Sequence, residues 1–280
     1  MVESMELYSI IPFIIALVAF IFFLFLTKLK KYCAIAGWSA FVIALITLLP
    51  DLIGEGANVF YPLLIILTIF LLIPTIRMLL KENPNIYTLT TGVGVATIIY
   101  APFEIISPLG NLLIENVVFW VRKFFDIIHF PYEMPAWDCF GSLVPVTSGC
   151  KDQIILGCTG ITAIAVLVGV VFLTKTSILR KVILIGIATV PIYIINIFRN
   201  VFVIMAYFYQ WFPWCGERFV NDPRSASFFW SHNVMCEGGA FFLIIVIAFL
   251  LFKFAPGLVS IIRNIFDAYM IDIKELTSRK

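Results

Sequence analysis

Charged side chains are scarce in this sequence. Of its 280 residues only 13% are Asp, Glu, Lys or Arg, and there are just two histidines. A soluble domain carries about a quarter charged residues and about half apolar ones; here the apolar share is 62% and the mean hydropathy +1.05. Other features are missing too. With a net charge of +2 and no Lys/Arg-rich tract or Gly-rich phosphate loop, the chain offers nothing for a nucleic-acid partner. Its apolar runs do not alternate with polar residues, which excludes a transmembrane barrel. No basic stretch precedes the first apolar run, so that run reads as a permanent span rather than a cleaved leader. No internal repeat, low-complexity tract or soluble domain interrupts the pattern. Long apolar segments in lipid must satisfy their own backbone hydrogen bonds, and so must be helices. The reading is an all-α polytopic membrane protein, one integral domain over residues 1–280.

Seven windows reach the roughly 20 apolar residues that cross a hydrocarbon core. They run from Ser9 to Thr27, Cys33 to Leu49, Tyr61 to Leu79, Ile86 to Ile106, Gln153 to Leu173, Val182 to Tyr209 and Phe228 to Phe252. The chain thus divides into four spans (1–106), an external segment (107–152), three more spans (153–252) and a cytoplasmic tail (253–280). Cytoplasmic loops collect Lys and Arg. Thirteen of the nineteen fall in one set of loops: Lys28, Lys30, Lys31, Arg77, Lys81, Lys175, Arg180, Lys181, Lys253, Arg263, Lys274, Arg279 and Lys280. Arg122, Lys123, Lys151, Arg218 and Arg224 fall in the other set, and Arg199 lies inside a span. An odd number of spans with this bias places the N-terminus outside the plasma membrane and the C-terminus in the cytoplasm.

Within the external segment, Leu109 to Phe130 has apolar residues at helical spacing but also Glu115, Arg122, Lys123 and Asp126. That suits a helix lying in the interface better than an eighth crossing. Pro131 to Asp152, rich in Pro, Gly and Ser, reads as an ordered outer loop or lid. After Pro256 the chain reads as an amphipathic anchor helix on the cytoplasmic face.

An ionisable side chain inside a span is costly unless paired or solvated, so such residues mark candidate sites. Arg199 is about 17 residues, or roughly 25 Å, above the cytoplasmic start of span six, near the external surface. Cys158 enters span five from outside by about 8 Å, and His232 enters span seven by about 6 Å. A thiol, a guanidinium and an imidazole on three helices therefore share one depth. Each alone has an ordinary reading: an inert buried thiol, a snorkelling Arg, an interfacial His. Together, Cys and His are a known nucleophile and base pair, and Asn196 and Asn200 give Arg199 a polar patch. Cys236, four positions after His232, raises a zinc alternative, but the adjacent Arg would repel the cation. No cofactor is expected.

At these residues the chain resembles the exosortase/archaeosortase family. Gly157-Cys158-Thr159-Gly160, opening an apolar helix, resembles that family's nucleophile motif. Asn196-Ile197-Phe198-Arg199-Asn200 resembles its Arg-bearing helix, and Ser231-His232 its His motif. The order Cys, Arg, His, each on its own helix, is the family's order, and the specific likeness covers about Gln153 to Phe252. Some archaeosortases carry a second Arg where this chain has His232, which leaves the subfamily and its recognition tripeptide unassigned. The resemblance implies a membrane cysteine transpeptidase acting on surface proteins with a C-terminal tripartite signal: a short motif, a transmembrane helix and a basic cluster. It cuts at the motif and passes the new C-terminus to an amine, a lipid anchor. Cys158 would be the nucleophile, His232 the proton acceptor, and Arg199 the group that stabilises thiolate or oxyanion. Two alternatives stand beside this reading. One is a cysteine protease that only hydrolyses the signal, the other a small anion transporter or channel built around Arg199.

Further residues have weaker readings. Glu237 and Glu104 are carboxyls inside spans and need a proton or a partner; Glu237, with Thr159, is a supporting candidate. Cys139 and Cys150 share an external loop where a disulfide is permitted, and Cys215 faces the same side, so the pairing stays open. His129 has an interfacial, non-catalytic reading. The aromatics from Tyr207 to Trp214 and from Phe228 to Trp230 form an interfacial belt.

Overall fold

The computed structural model describes residues 7–47, 49, 60–141, 152–214 and 226–278. Nine helices run in order among these: α1 (Leu7–Phe25), α2 (Lys30–Thr47), α3 (Phe60–Leu80), α4 (Pro84–Ile105), α5 (Ser107–Ile128), α6 (Ile161–Phe172), α7 (Ile178–Tyr209), α8 (Ala226–Phe254) and α9 (Gly257–Ser278). The protein is all-α and polytopic in kind. Helices α2, α3, α4, α7 and α8 are long and apolar enough to cross a membrane, and the apolar stretches Ile10–Phe25 and Ile161–Phe172 are shorter.

Local chemistry explains the boundaries. Asn83 caps α4, its side chain accepting from the Asn85 N–H, and Pro84 occupies the first turn where its missing N–H costs nothing. Helix α5 buries Gly110, Ile114, Val117, Val118, Val121 and Phe125 on one face and leaves Leu112, Phe119, Trp120 and Ile127 exposed on others. It therefore packs on the bundle with one apolar stripe and leaves several large apolar side chains uncovered.

Two departures from the sequence reading concern the external segment and span five. Part of the outer loop is a small antiparallel sheet, β1 (Glu133–Ala136), β2 (Cys139–Gly141) and β3 (Asp152–Gln153). The fifth window is helical only from Ile161 to Phe172, because Asp152–Gln153 is strand and Leu156–Thr159 is a 3₁₀ turn ending at Gly160. Gly160 sits at φ +79°, the left-handed region, which breaks any continuous helix through the window. At 1.5 Å per residue α6 is only about 18 Å long.

Three apolar clusters hold the bundle. One joins α1, α2, α3, α4 and α9 around Phe20, Phe23, Trp38, Leu79 and Ile86, with Trp38 Nε1 donating to Thr90 Oγ1 at 3.0 Å. A second joins α5, the sheet, the 3₁₀ turn and α7 around Phe125, Phe130, Phe140 and Ile204. The third joins α6, α7, α8 and the start of α9 around Val171, Leu184, Ile247 and Leu251. Helix α9 is further tied to the end of α3 by Arg77–Asp272 at 3.1 Å and Lys81–Glu275 at 2.8 Å.

Candidate active site

Cys158 stands on the 3₁₀ turn, not inside an α-helix. Its N–H donates to the Ile155 carbonyl at 2.9 Å. Its own carbonyl accepts two bonds from α7, from Asn196 Nδ2 at 2.6 Å and Asn200 Nδ2 at 2.9 Å. Both Asn side chains are buried, and Asn200 also donates to the Asn196 carbonyl at 2.9 Å. Thr159 closes the turn by donating from Oγ1 to the Leu156 carbonyl at 2.7 Å, and it is buried. A Cβ at Gly160 would come within 3.3 Å of Asn196 Cγ and would sit at φ +79°, so any larger residue is strained and crowds this clamp. Asn196, Asn200 and Thr159 are thus structural supports of the nucleophile turn.

Arg199 sits between the two Asn in sequence and reaches the other site residues. One of its terminal nitrogens bonds His232 Nε2 at 3.0 Å, and His232 Nδ1 lies 2.7 Å from Asn233 Oδ1. Arginine only donates, so Nε2 is the acceptor and Nδ1 carries the proton. The ring also stacks on Phe228, centroids 5.0 Å apart and planes 14° apart. His232 occupies a π-helical stretch, Phe229–Cys236, within α8, a distortion common at functional sites.

Arg199 is close enough to Cys158, Cys236 and Glu237 to act on each electrostatically. Among the described residues His232 makes no hydrogen bond to Cys158; the guanidinium is the group common to both. Burial pushes the Cys158 thiol above its usual range, while a backbone hydrogen bond at Ile155 and the Arg199 charge pull it back and Asp152 adds to the rise. Among the described residues no three His, Cys, Asp or Glu side chains form a group that could hold a metal ion.

The remaining candidates are more dispersed. Glu104 accepts from Tyr100 Oη at 2.5 Å on α4, one turn earlier. Cys139 is disulfide-bonded, whereas Cys33, Cys158 and Cys236 are free; Cys150 and Cys215 lie outside the described residues. His129 ends α5 in a left-handed conformation, φ 53°. Two neighbouring residues escaped the sequence reading. Asn233 fixes the imidazole, and its position beside His232 was the available signal. Asp152 closes the outer loop yet is only 5% exposed, and burial pushes its carboxyl up to about 8.

Comparison with known proteins gives this geometry a family. The chain is similar to archaeosortase A of Natronomonas pharaonis, 28% identical over 204 residues, a match covering 68% of this chain and 65% of that protein. It is also similar to archaeosortase A of Haloferax volcanii, 22% identical over 265 residues, covering 87% of this chain and 86% of the relative. The chain thus spans just under two thirds of the first relative's length and most of the second's. No solved structure matches. The family model described as transmembrane exosortase matches residues 2–251. The chain belongs to the transmembrane exosortase family.

Proposed function

We propose that this protein is an archaeosortase-like cysteine transpeptidase at the external face of the plasma membrane. It cleaves a C-terminal sorting signal of surface proteins, made of a motif, a transmembrane helix and a basic cluster, and transfers the new C-terminus to an amine on a lipid anchor. The observation that carries this reading is Arg199, which bonds His232 and acts on Cys158, while Asn196 and Asn200 of its own helix clamp the Cys158 turn.

The geometry supports a definite order of events. With Arg199 on Nε2, the imidazole lone pair is engaged and burial keeps the thiol protonated. A scissile carbonyl entering beside Cys158 offers Arg199 a better partner, the oxygen on which negative charge develops. Once Arg199 turns to that oxygen, Nε2 is free to accept the thiol proton and later deliver it to the leaving amine. The thioester on Cys158 is then resolved by the incoming amine. A hydrolytic protease would share every step but the last.

The test uses the full chain in liposomes with a tagged substrate bearing such a signal, and product analysis by mass spectrometry. Cys158→Ala is expected to leave the substrate uncut. Arg199→Lys is expected to lose about 10²–10³-fold in turnover, as when an oxyanion donor is removed. Processing by Cys158→Ala would overturn the reading.

A further inference from the structure

Asp152 is a carboxyl with no evident structural purpose. It is 5% exposed, and neither of its oxygens has a hydrogen-bond partner among the described residues. Its neighbours on the sheet are well satisfied: Gln153 Nε2 donates to Asp138 Oδ2 at 2.8 Å, and the Ile154 N–H to the Asp138 carbonyl at 2.8 Å. Successive strand residues face opposite ways. Gln153 is the exposed one of the pair, which turns Asp152 inward, across from Phe140 in the β2–β3 register. Phe140, Ile154, Leu156 and Cys158 all belong to one cluster, so Asp152 lies along the wall that carries the nucleophile. It is within electrostatic reach of the Cys158 thiol. A buried carboxyl without a partner costs several kcal/mol if ionised, and burial holds this one up to about 8. Such a group is poised for a cationic visitor.

We propose that Asp152 is the binding site and proton acceptor for the incoming amine. The proposal rests on the transpeptidase reading above and names how its second substrate is held. Asp152, neutral while unpaired, releases its proton to solvent as the ammonium of a primary amine enters, pairs with it as a carboxylate, and then takes one proton from it. The free amine nitrogen then bonds the thioester carbonyl carbon, the carbon–sulfur bond breaks with its electron pair on sulfur, and the second nitrogen proton passes to the departing thiolate. Amide, Cys158 thiol and a protonated Asp152 result, which returns Asp152 to its starting state. His232, engaged by Arg199 and Asn233, is not needed for this step.

The experiment compares two acceptors in the liposome assay: ethanolamine, an ammonium at neutral pH, and hydroxylamine, already a neutral nucleophile there. In Asp152→Asn the hydrolysis and hydroxylamine products of the same preparation serve as the internal reference. Its ethanolamine product is expected to fall about 10- to 100-fold relative to hydrolysis, the loss of a charge-assisted bond. If Asp152→Asn does not fold, Asp152→Glu serves: its displaced carboxyl should raise the KM for ethanolamine more than that for hydroxylamine. An unchanged ethanolamine share, or equal losses with both acceptors, overturns the assignment while the transpeptidase reading survives. A wild-type protein that cuts no substrate removes both.

Discussion

Asn196 and Asn200 stand one helical turn apart on α7 and donate to the same acceptor, the Cys158 carbonyl. Removing one donor leaves that carbonyl with the other, so Asn196→Ala or Asn200→Ala should cost about 1 kcal/mol each. Removing both leaves a buried carbonyl unpaired, and the double variant should cost more than the sum. Thermal melts of the four proteins in detergent check the stability, and turnover should fall in the same order as the turn loosens. Gly160→Ala attacks the same clamp from the other side. It forces a Cβ into the left-handed region at about 1–2 kcal/mol and crowds Asn196 at 3.3 Å. Turnover of Gly160→Ala close to wild type would show that the clamp does not matter to the chemistry. The Cys, Arg and His were legible because a polar side chain in an apolar run needs a reason. Asp152 was not, since at the edge of a Pro- and Gly-rich stretch a carboxyl looks solvated until the fold buries it.

Helices α4 and α6 meet backbone to backbone. A Cβ at Gly169 would lie 2.4 Å from the Gly92 carbonyl oxygen, and one at Gly92 would lie 2.6 Å from Leu173 Cδ2. In membranes, where the apolar effect between helices is weak, such close approach of small residues supplies the packing. Gly169→Ala must therefore push two helices apart and should cost about 1–3 kcal/mol, seen as a melting temperature several degrees lower. Gly186→Ala on α7, where nothing lies within 4 Å, should leave it unchanged or slightly raised. Equal melting temperatures for the two variants would argue against the contact. At this scale the long apolar elements were readable from length alone, whereas α6 and the sheet were not. The window from Gln153 to Leu173 is apolar throughout, and hydropathy cannot register that Gly160 turns left-handed. The strands are two to four residues long, one containing Pro135, too short for an alternating pattern to emerge.

Basic residues gather at one end of the whole molecule, and its contacts show that this end is shared. Lys31, just after the α1–α2 turn, bonds Glu82 in the α3–α4 turn at 3.0 Å. Lys81 in that turn bonds Asp272 of α9 at 3.0 Å, and Leu173, Ala255 and Leu258 bring the α6–α7 turn and the α8–α9 corner into one cluster. Antiparallel connections then send the α4–α5 corner, the sheet, the Cys158 turn, the end of α7 and the start of α8 to the opposite end. If the basic end is cytoplasmic, the candidate site opens outward. Cys33 tests this, being free, half-buried and within one turn of Lys30 and Lys31. In a variant carrying Cys158→Ala and Cys236→Ala the Cys139 bridge stays intact, and because whichever of Cys150 and Cys215 is not its partner is also a thiol, labelling is read by mass spectrometry on the peptide that carries Cys33. An impermeant maleimide is expected to label it in inside-out vesicles and not in right-side-out ones, and a C-terminal tag should show the same sidedness. Cys33 labelled from outside with a cytoplasmic tag would break the shared end. Both labelled from outside would keep the fold but invert it, placing Cys158 where no exported surface protein presents its signal.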